Sequence, residues 1–499
     1  MDGGPIISEL KITAIRGGIW TVGTAMIVQP LGILTTILLA RLLGPVAFGS
    51  IALAMVLVQL CYLLVNLGMG QALVQTSIDQ RRAAFQSFAV TILSGSLLCL
   101  FQAVFAEPLA IFLGNVTIAP ILRWMSLMIF LEALTTVPFA LMRKELMFGR
   151  VNLAILISEL SYVFVAPILA LIGMGVWSLV IGQLIRMVVK AILVWSFCQS
   201  LCWLVPKTWN WGELRQLLKY GLQSTANGLI SYFHSNWDNW MVARLLGTIQ
   251  LGYYSQAYRF SSRTLPNLSN TLSNLVLFPS YVQIQDDRER IERGYMKSLS
   301  VIFLIMVPVA LGMIVLAPEV VQVLLGEKWI PMIPVLRIFS VLILTRPISA
   351  GVYSLFMALG VPGHNVKAGL VLVVVMVPMV FALIGYGIAG VATAVVISNI
   401  AASGYNIFQM NNTLPGTARK TLCASIPSVV AGLIMAAAVL ICKEGIALSG
   451  SNTFSFITFL LMVGLGAATY IAVSLLTQRT LIGEIFQLCG SVLNLHRRL

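Results

Sequence analysis

The sequence predicts an all-α integral membrane protein of about fourteen transmembrane helices. Hydrophobic residues make up 59% of the chain and charged residues only 10%, whereas soluble domains carry about 25% charged residues. Apolar stretches of about 20 residues also recur along the whole chain, and each is long enough to cross a hydrocarbon core of about 30 Å as a helix. We expect helices because backbone polar groups in lipid must be satisfied within their own segment.

The predicted transmembrane spans are apolar runs that end at charged residues, glycine or proline. They lie at residues 17–40, 46–67, 86–106, 118–141, 152–172, 174–196, 221–243, 249–280, 298–318, 333–358, 367–386, 388–410, 420–442 and 453–476. The first span is too long for the core of a signal peptide, so we expect it to remain as the first helix. The span at 249–280 is the most polar, because it contains YYSQAYRFSSRTLPNLSNTLSN.

Lysine and arginine in the loops predict the orientation of the helices, because cytoplasmic loops retain them. Of the 31 basic residues, 20 lie in loops on one side of the predicted bundle. Only four lie in loops on the other side: Arg41, Arg244, Lys328 and Lys443. The sequence therefore predicts that both termini are cytoplasmic. The net charge of +14 then reflects topology and contact with anionic membrane lipids, and no nucleic acid is expected as a partner.

Three pairs of short motifs indicate an internal duplication. ARLLGPVAFG with Arg41 matches ARLLGTIQLG with Arg244, which lies 203 residues later. APILRWMS and IPVLRIFS pair Arg123 with Arg337 at a distance of 214 residues, and ALIGMG pairs with ALIGYG at 212 residues. Because this offset spans six helices, the two halves insert in the same orientation, as in transporters built from parallel repeats.

We therefore predict two six-helix lobes followed by two extra helices. The predicted domains are an N-lobe at 1–200, an interfacial linker at 201–220, a C-lobe at 221–412, and helices 13 and 14 with a cytoplasmic tail at 413–499. The linker carries Trp203, Trp209 and Trp211 beside basic residues. This combination is typical of an amphipathic segment at a membrane interface, although a plain connection between two halves would also fit it.

The chain resembles the polysaccharide transporters of the multidrug/oligosaccharidyl-lipid/polysaccharide (MOP) flippase superfamily, near the Wzx proteins of the colanic-acid exporter type. The resemblance depends on ILLARLLGPVAFG before helix 2, on DNWMVARLLG and LGYYSQAYRF at helices 7 and 8, and on LFPSYVQIQDD after helix 8. It covers essentially the whole chain. The segment at helices 7 and 8 is the more specific part, since the ARLLG turn is short and apolar.

The resemblance implies a flippase of the bacterial inner membrane. Its substrate would be an undecaprenyl-diphosphate-linked oligosaccharide, which alternating access of two lobes passes from the cytoplasmic to the outer leaflet for surface polysaccharide synthesis. Membrane lipids, and other proteins of polysaccharide assembly, would be its partners. The intramembrane charges of this superfamily vary in position between subfamilies, so the resemblance assigns no substrate-contacting residue.

Helices 7 and 8 hold the strongest cluster of polar residues. The polar side chains of helix 7 are Asn227, His234, Asn236, Asp238 and Asn239. Helix 8 holds Arg259 and Arg263, which are four residues apart and so lie on one face of a helix. Because such side chains are costly in lipid, we expect both helices to line a cavity. Two guanidinium groups suit a diphosphate, and pairing with Asp238 is the alternative role.

Five charged residues in other spans are weaker candidates for contact with the substrate. Glu132 and Glu159 are expected to be cavity walls or proton sites. Arg186 and Lys190 are again four residues apart and could face the cavity, although for Lys190 we favour a side chain that reaches the cytoplasmic surface. Arg346 directly precedes Pro347, where a break in the helix is expected.

The sequence predicts no cofactor and no metal. It contains no Gly-Lys dipeptide and so no P-loop for ATP, and it has no HExxH motif. Transport would then be coupled to H⁺ or Na⁺, or driven by the substrate gradient. Two other functions are kept open: a membrane polysaccharide polymerase or glycan ligase, which usually needs a large outer loop, and a cation-coupled exporter of small molecules, which would need buried carboxylates.

Overall fold

A computed structural model describes residues 5–75, 79–198, 202–205, 209–263, 277–284, 286–361, 363–448, 456–484 and 487. Within these ranges the chain forms helices and turns and no β-strand, so the predicted all-α class is confirmed. The chain divides into two compact units, Met1–Ser255 and Gln256–Leu499. The first unit therefore extends past residue 221, where we placed the start of the C-lobe, and the predicted lobe boundaries stay a prediction.

The first unit is built from ten helices in its described part, the last of which crosses into the second unit. They are α1 Pro5–Leu43, α2 Pro45–Asn66, α3 Met69–Gln75, α4 Gln80–Val104, α5 Ala106–Leu113, α6 Ala119–Lys144, α7 Phe148–Leu171, α8 Val176–Phe197, α9 Trp211–Leu246 and α10 Thr248–Tyr258. Helix α4 packs on α6, α7 packs on both α1 and α8, and α9 packs along α2.

Glycine and side-chain caps explain where several of these helices begin. Gly44 and Gly247 both adopt positive φ angles, 77° and 93°, which glycine tolerates without a Cβ clash. Each ends one helix of a repeated ARLLG motif and starts the next. Helix α9 begins ten residues before the predicted 221, because the Asn210 side chain accepts hydrogen bonds from the backbone N–H groups of Gly212 and Glu213 as an N-cap.

In the second unit, a π-helix, Arg259–Arg263, follows the end of α10. The further α-helices of this unit with more than one turn are α11 Phe278–Gln283, α12 Arg288–Val315, α13 Ile333–Ala358, α14 Gly363–Leu383, α15 Gly387–Thr413, α16 Thr417–Leu448 and α17 Phe456–Thr477. A short turn, Ala317–Glu319, and a second π-helix, Val320–Leu325, follow α12. Helix α12 packs on α13 and α16, α14 packs on α15, and α16 packs on α17.

Eleven stretches of the described residues are long and apolar enough to cross a membrane, so a multi-pass membrane protein is confirmed. One stretch, Gly363–Thr413, contains both α14 and α15. Helices α9 and α10 are not among the eleven. The polar residues of α9 lower its mean hydropathy, and α10 has only 11 residues, which is too short to cross a membrane. Residues 264–276 of the predicted span 249–280 lie outside the described ranges. The count of fourteen therefore stays a prediction.

Helix α9 follows α2 through close contacts along its length. A Cβ atom on Gly221 would overlap the carbonyl oxygen of Leu67, and Gly228 leaves room for the side chain of Leu63. Farther along, the Tyr232 hydroxyl donates a hydrogen bond of 2.5 Å to a backbone carbonyl oxygen of α2. Glycine thus allows the two backbones to approach as they do in tightly packed membrane helices.

The two copies of the repeated motif contact each other at equivalent glycines. A Cβ atom on Gly49 would overlap the carbonyl oxygen of Thr248, and a Cβ atom on Gly252 would overlap the carbonyl oxygen of Pro45. Gly49 matches Gly252 in the repeat, and Pro45 matches Thr248, so the contact is reciprocal. A reciprocal contact is expected where a two-fold axis relates two copies of a surface, and it agrees with the predicted duplication.

Trp203 packs inside the first unit, and the predicted interfacial linker at 201–220 stays a prediction. The Trp203 side chain is buried among Phe88 and Trp195, with ring centroids 5.2 Å and 6.0 Å away. By contrast Trp211 is exposed. The two tryptophans differ because Trp203 packs against α4 and α8 of the first unit, and a loop composition does not reveal such a contact.

Candidate functional site

Four charged side chains meet near the middle of three packed helices in the first unit. Glu132 lies in α6, Glu159 in α7, and Arg186 and Lys190 lie in α8. Nη1 of Arg186 is 2.7 Å from Oε1 of Glu159, and Nζ of Lys190 is 3.0 Å from Oε2 of Glu132. The structure therefore joins four of the charged residues that the sequence singled out separately, and we call them the charge cluster.

The prediction that Lys190 reaches the cytoplasmic surface is wrong. Its Nζ is bound to Glu132 and lies 5.6 Å from the centre of the Phe139 ring. The Glu132 carboxylate holds the ammonium group more strongly than distant water would, because two opposite charges attract each other more strongly where water is scarce. The sequence could not show this, since α6 and α8 become neighbours only in the folded chain.

The charge cluster is partly open to its surroundings. Its side chains are 19% to 29% exposed, so they lie neither in a dry core nor on a fully exposed surface. Charged groups at this depth are costly unless they face protein or a water-filled cavity. The charge cluster has no net charge, since it contains two cations and two carboxylates.

Three polar atoms beside the charge cluster keep unused hydrogen-bonding capacity. The Tyr62 hydroxyl, Oε1 of Gln183 and Nε of Arg186 are buried and form no hydrogen bond with the residues described. Tyr62 in α2 lies close enough to Glu132 and Arg186 for both charges to act on it. The sequence analysis missed Tyr62 and Gln183. Gln183 had a signal, because it lies three residues before Arg186 on the same helix face.

The polar residues of α9 are divided between buried and partly exposed positions. Asp238 and Asn236 are buried within the first unit, and His234 and Asn239 are partly exposed. Oδ2 of Asp238 accepts a hydrogen bond of 2.7 Å from the fully buried hydroxyl of Tyr254. Nδ2 of Asn236 donates to the Tyr232 carbonyl of its own helix. The bond between Asp238 and Tyr254 joins α9 to α10, whereas the Asn236 bond lies within α9. The predicted role of the four residues in a cavity stays a prediction.

We expect Tyr254→Phe to lower the stability of the protein. The change leaves the ring in place but removes a hydrogen bond to a buried carboxylate, and such bonds contribute about 1.5–3 kcal/mol. The apparent melting temperature in detergent should fall. Tyr386→Phe is the control, because Tyr386 is 77% exposed, and equal melting temperatures for the two variants would show that the bond to Asp238 contributes nothing.

The arginines of helix 8 lie in a π-helix and not in the regular α-helix that we predicted. Arg259–Arg263 follows α10 directly, and π-helical turns are frequent at functional sites. About 17 Å of helix separates Arg259 from the start of α10, which is roughly half of a hydrocarbon core. The side chain of Arg259 is exposed, and Arg263 is described by its backbone alone.

Arg346 lies in a neighbouring element of the same unit. It is half-buried in α13, immediately before the internal Pro347, and the π-helix packs on α13. Tyr258 and Phe339 form an edge-to-face ring pair at 5.2 Å across this contact. No ion pair joins Arg346 to any residue in the described ranges. The second unit therefore places Arg259 and Arg346 on adjoining elements.

Comparison with known proteins gives the family. The profile described as "Polysaccharide biosynthesis protein" matches residues 38–334. The chain is 26% identical to the lipopolysaccharide biosynthesis protein WzxC of Escherichia coli (strain K12), over 70% of this chain and 71% of that protein. It is 29% identical to the succinoglycan biosynthesis transport protein ExoT of Rhizobium meliloti (strain 1021), over 67% of each chain.

Solved structures show the same fold. The lipid II flippase MurJ in an inward closed conformation matches with a TM-score of 0.74 at 15% identity, over 93% of this chain and 99% of that chain. An inward-facing multidrug resistance transporter of the MATE family, from the MOP superfamily, matches with a TM-score of 0.66 at 18% identity, over 81% and 99%. With a family profile that covers more than half of its length, the chain belongs to the polysaccharide biosynthesis protein family.

Proposed function

We propose that this protein moves a lipid-diphosphate-linked oligosaccharide from the cytoplasmic to the outer leaflet of the bacterial inner membrane. The observation that carries the proposal is the family membership, together with the relative ExoT, which is named as a succinoglycan biosynthesis transport protein. The exported unit would serve the synthesis of a surface polysaccharide, in which other assembly proteins would take part.

The charges of the intramembrane residues support an anionic substrate. The carboxylates of Glu132 and Glu159 are already paired with cations, so they offer no surplus negative charge to a cationic drug. Arg346 forms no ion pair within the described ranges and supplies positive charge in the second unit. This balance favours a diphosphate over the cation-coupled drug export that the fold also allows. A transporter is favoured over a polymerase or ligase because the relative ExoT is named as a transport protein.

Deletion of the gene tests this function. Cells without the protein should lose the surface polysaccharide and accumulate its lipid-linked unit on the cytoplasmic side of the membrane, where it stays protected from an added glycosidase. Complementation with the intact gene is the control. Loss of the polysaccharide without accumulation of the lipid-linked unit would point to an earlier, enzymatic step and contradict the proposal.

We also propose that both termini are cytoplasmic, from the 20 to 4 distribution of basic residues. A reporter that is active only in the cytoplasm should therefore be active when fused to the C-terminus, and a reporter that needs the periplasm should be inactive there. A fusion in the loop that contains Lys328 is the matched control and should show the opposite result. An active periplasmic reporter at the C-terminus would contradict an even number of spans.

A further inference from the structure

We propose that Arg186 and Lys190 bind a diphosphate in the first unit, and that Glu159 and Glu132 occupy these two cations whenever the substrate is absent. The proposal rests on the proposed function, because its ligand is the diphosphate of the lipid-linked substrate. It goes beyond that function by assigning the two carboxylates the role of internal counter-ions. The incoming diphosphate displaces them, and they return to the cations when it leaves.

The two cations are placed to hold a diphosphate together. They are four residues apart in α8 and so lie on one face, with Cβ atoms about 5–6 Å apart. Arg186 supplies a planar fork of N–H donors and Lys190 supplies a point charge, and both are common phosphate ligands. A single contact joins each cation to a carboxylate. Neither pair is bidentate, so donors remain for a ligand, among them Nε of Arg186, which is buried without a hydrogen-bond partner in the described ranges.

The carboxylates neutralise the two cations when no anionic substrate is bound. After the substrate is released, the empty binding site must become accessible from the cytoplasmic side again. During this step, two cations without counter-ions would be costly within the membrane. Glu159 and Glu132 remove this cost because they make the charge cluster neutral. A carboxylate and a phosphate offer similar oxygen acceptors to a guanidinium group, so the substrate and the carboxylates compete for the same donors.

The surroundings of the charge cluster suit an exchange of ligands. All four side chains are partly exposed, so a ligand reaches them without unfolding a helix. The Tyr62 hydroxyl from α2 and Oε1 of Gln183 from α8 are buried beside them with unused hydrogen-bonding capacity. A hydroxyl donor would serve a phosphate oxygen or a displaced carboxylate equally well.

Competition between the carboxylates and the substrate has a different expected result from a purely structural role of the salt bridges. If the carboxylates compete with the substrate, Glu159→Gln and Glu132→Gln should strengthen the binding of a diphosphate, because glutamine keeps the size but loses the charge. The same variants should export less, because unpaired cations would make it harder for the empty binding site to become accessible from the cytoplasmic side again. A salt bridge that only holds helices together would lower both binding and export.

The binding experiment uses the full-length protein in nanodiscs of phosphatidylcholine, a zwitterionic lipid without net charge. The probe is undecaprenyl diphosphate, and undecaprenyl monophosphate serves for comparison. We expect each Glu→Gln variant to bind the diphosphate about tenfold more tightly than the wild type, and Arg186→Gln or Lys190→Gln to bind it about tenfold more weakly, a difference of about 1.4 kcal/mol. Glu107→Gln is the matched control, since Glu107 belongs to an exposed ion pair with Arg123 in the same unit.

Each result decides the proposal. Unchanged or weaker binding by both Glu→Gln variants overturns it. If these variants fold poorly, the double variant Glu159→Gln with Arg186→Gln leaves no unpaired charge and should still fold. It should bind the diphosphate more weakly than the wild type, because Glu159 competes only through Arg186 and the effects of two residues in contact do not add. Diphosphate binding equal to that of the wild type would then overturn the proposal. Failure of the wild type to bind the probe at all counts against the proposed function itself. Normal wild-type binding with unaffected Glu→Gln variants overturns the role of the carboxylates as counter-ions and leaves the proposed function intact.

Discussion

Cells that carry Gly49→Ala are expected to lose most of their export while the protein reaches the membrane in normal amounts. In an ordinary helix this change would be favourable by about 1 kcal/mol, because alanine has the higher helix propensity. Here the new Cβ atom would overlap the carbonyl oxygen of Thr248, and a backbone atom cannot move aside as a side chain does. Overpacking of this kind costs about 1–3 kcal/mol, which shifts a conformational equilibrium by about 5- to 150-fold.

Gly252→Ala should have the same effect, because its Cβ atom would overlap the carbonyl oxygen of Pro45 in the reciprocal contact. Both changes separate the same pair of backbones, so the double variant should be less impaired than the sum of the two. Gly32→Ala is the control, since nothing lies within 4 Å of a Cβ atom there. Surface polysaccharide and the amount of protein in the membrane are the measurements, and normal export by both alanine variants would mean that the cycle does not need this close contact.

Arg259→Ala is expected to reduce export by at least about tenfold, and Arg259→Lys to reduce it less. Hydrogen bonds to a charged group contribute about 1.5–3 kcal/mol, and each 1.4 kcal/mol corresponds to a factor of ten. Lysine keeps the charge but loses the planar fork that binds two phosphate oxygens at once. The same order is expected at Arg263, and Arg346→Ala should resemble Arg259→Ala because the π-helix packs on the helix that carries Arg346.

Arg337→Ala is the matched control for these variants. It removes an exposed arginine from the same helix as Arg346 and should leave export close to normal. The amount of each variant in the membrane separates a substrate role from a structural one, since a variant that is degraded has lost a folding contact. Export that stays normal in stable Arg259→Ala and Arg346→Ala variants would show that these two arginines do not contact the substrate.

The helical membrane fold could be predicted because it follows from composition and from segment length. A run of about 20 apolar residues has few alternatives to a membrane helix, so most predicted spans agree with the observed helices. The boundaries of α9 and the π-helix at Arg259–Arg263 were less accessible. A side-chain cap at Asn210 lengthens α9, and a single extra residue per turn changes the backbone without a clear mark in the sequence.

The sequence identified the charged residues of the site but not their partners. Glu132, Glu159 and Arg186 stood out because a charge in an apolar span is rare. Their pairing, and the place of Lys190 beside Glu132, depend on how α6, α7 and α8 pack, and a linear pattern carries no information about such neighbours. Tyr62 was missed for the same reason, since a tyrosine in an apolar helix is usual and its nearness to two charges is a property of the fold.

The repeated ARLLG motif shows most clearly which features follow from the sequence and which depend on the tertiary structure. Its two copies, their glycines and their spacing can be read directly from the chain, because glycine before a helix marks a turn wherever it occurs. The reciprocal contact of Gly49 with Thr248, and of Gly252 with Pro45, exists only after α2 and α10 have come together. Local residue types decide which segments become helices in a membrane, whereas the contacts that make those helices a transporter arise between residues far apart in the chain.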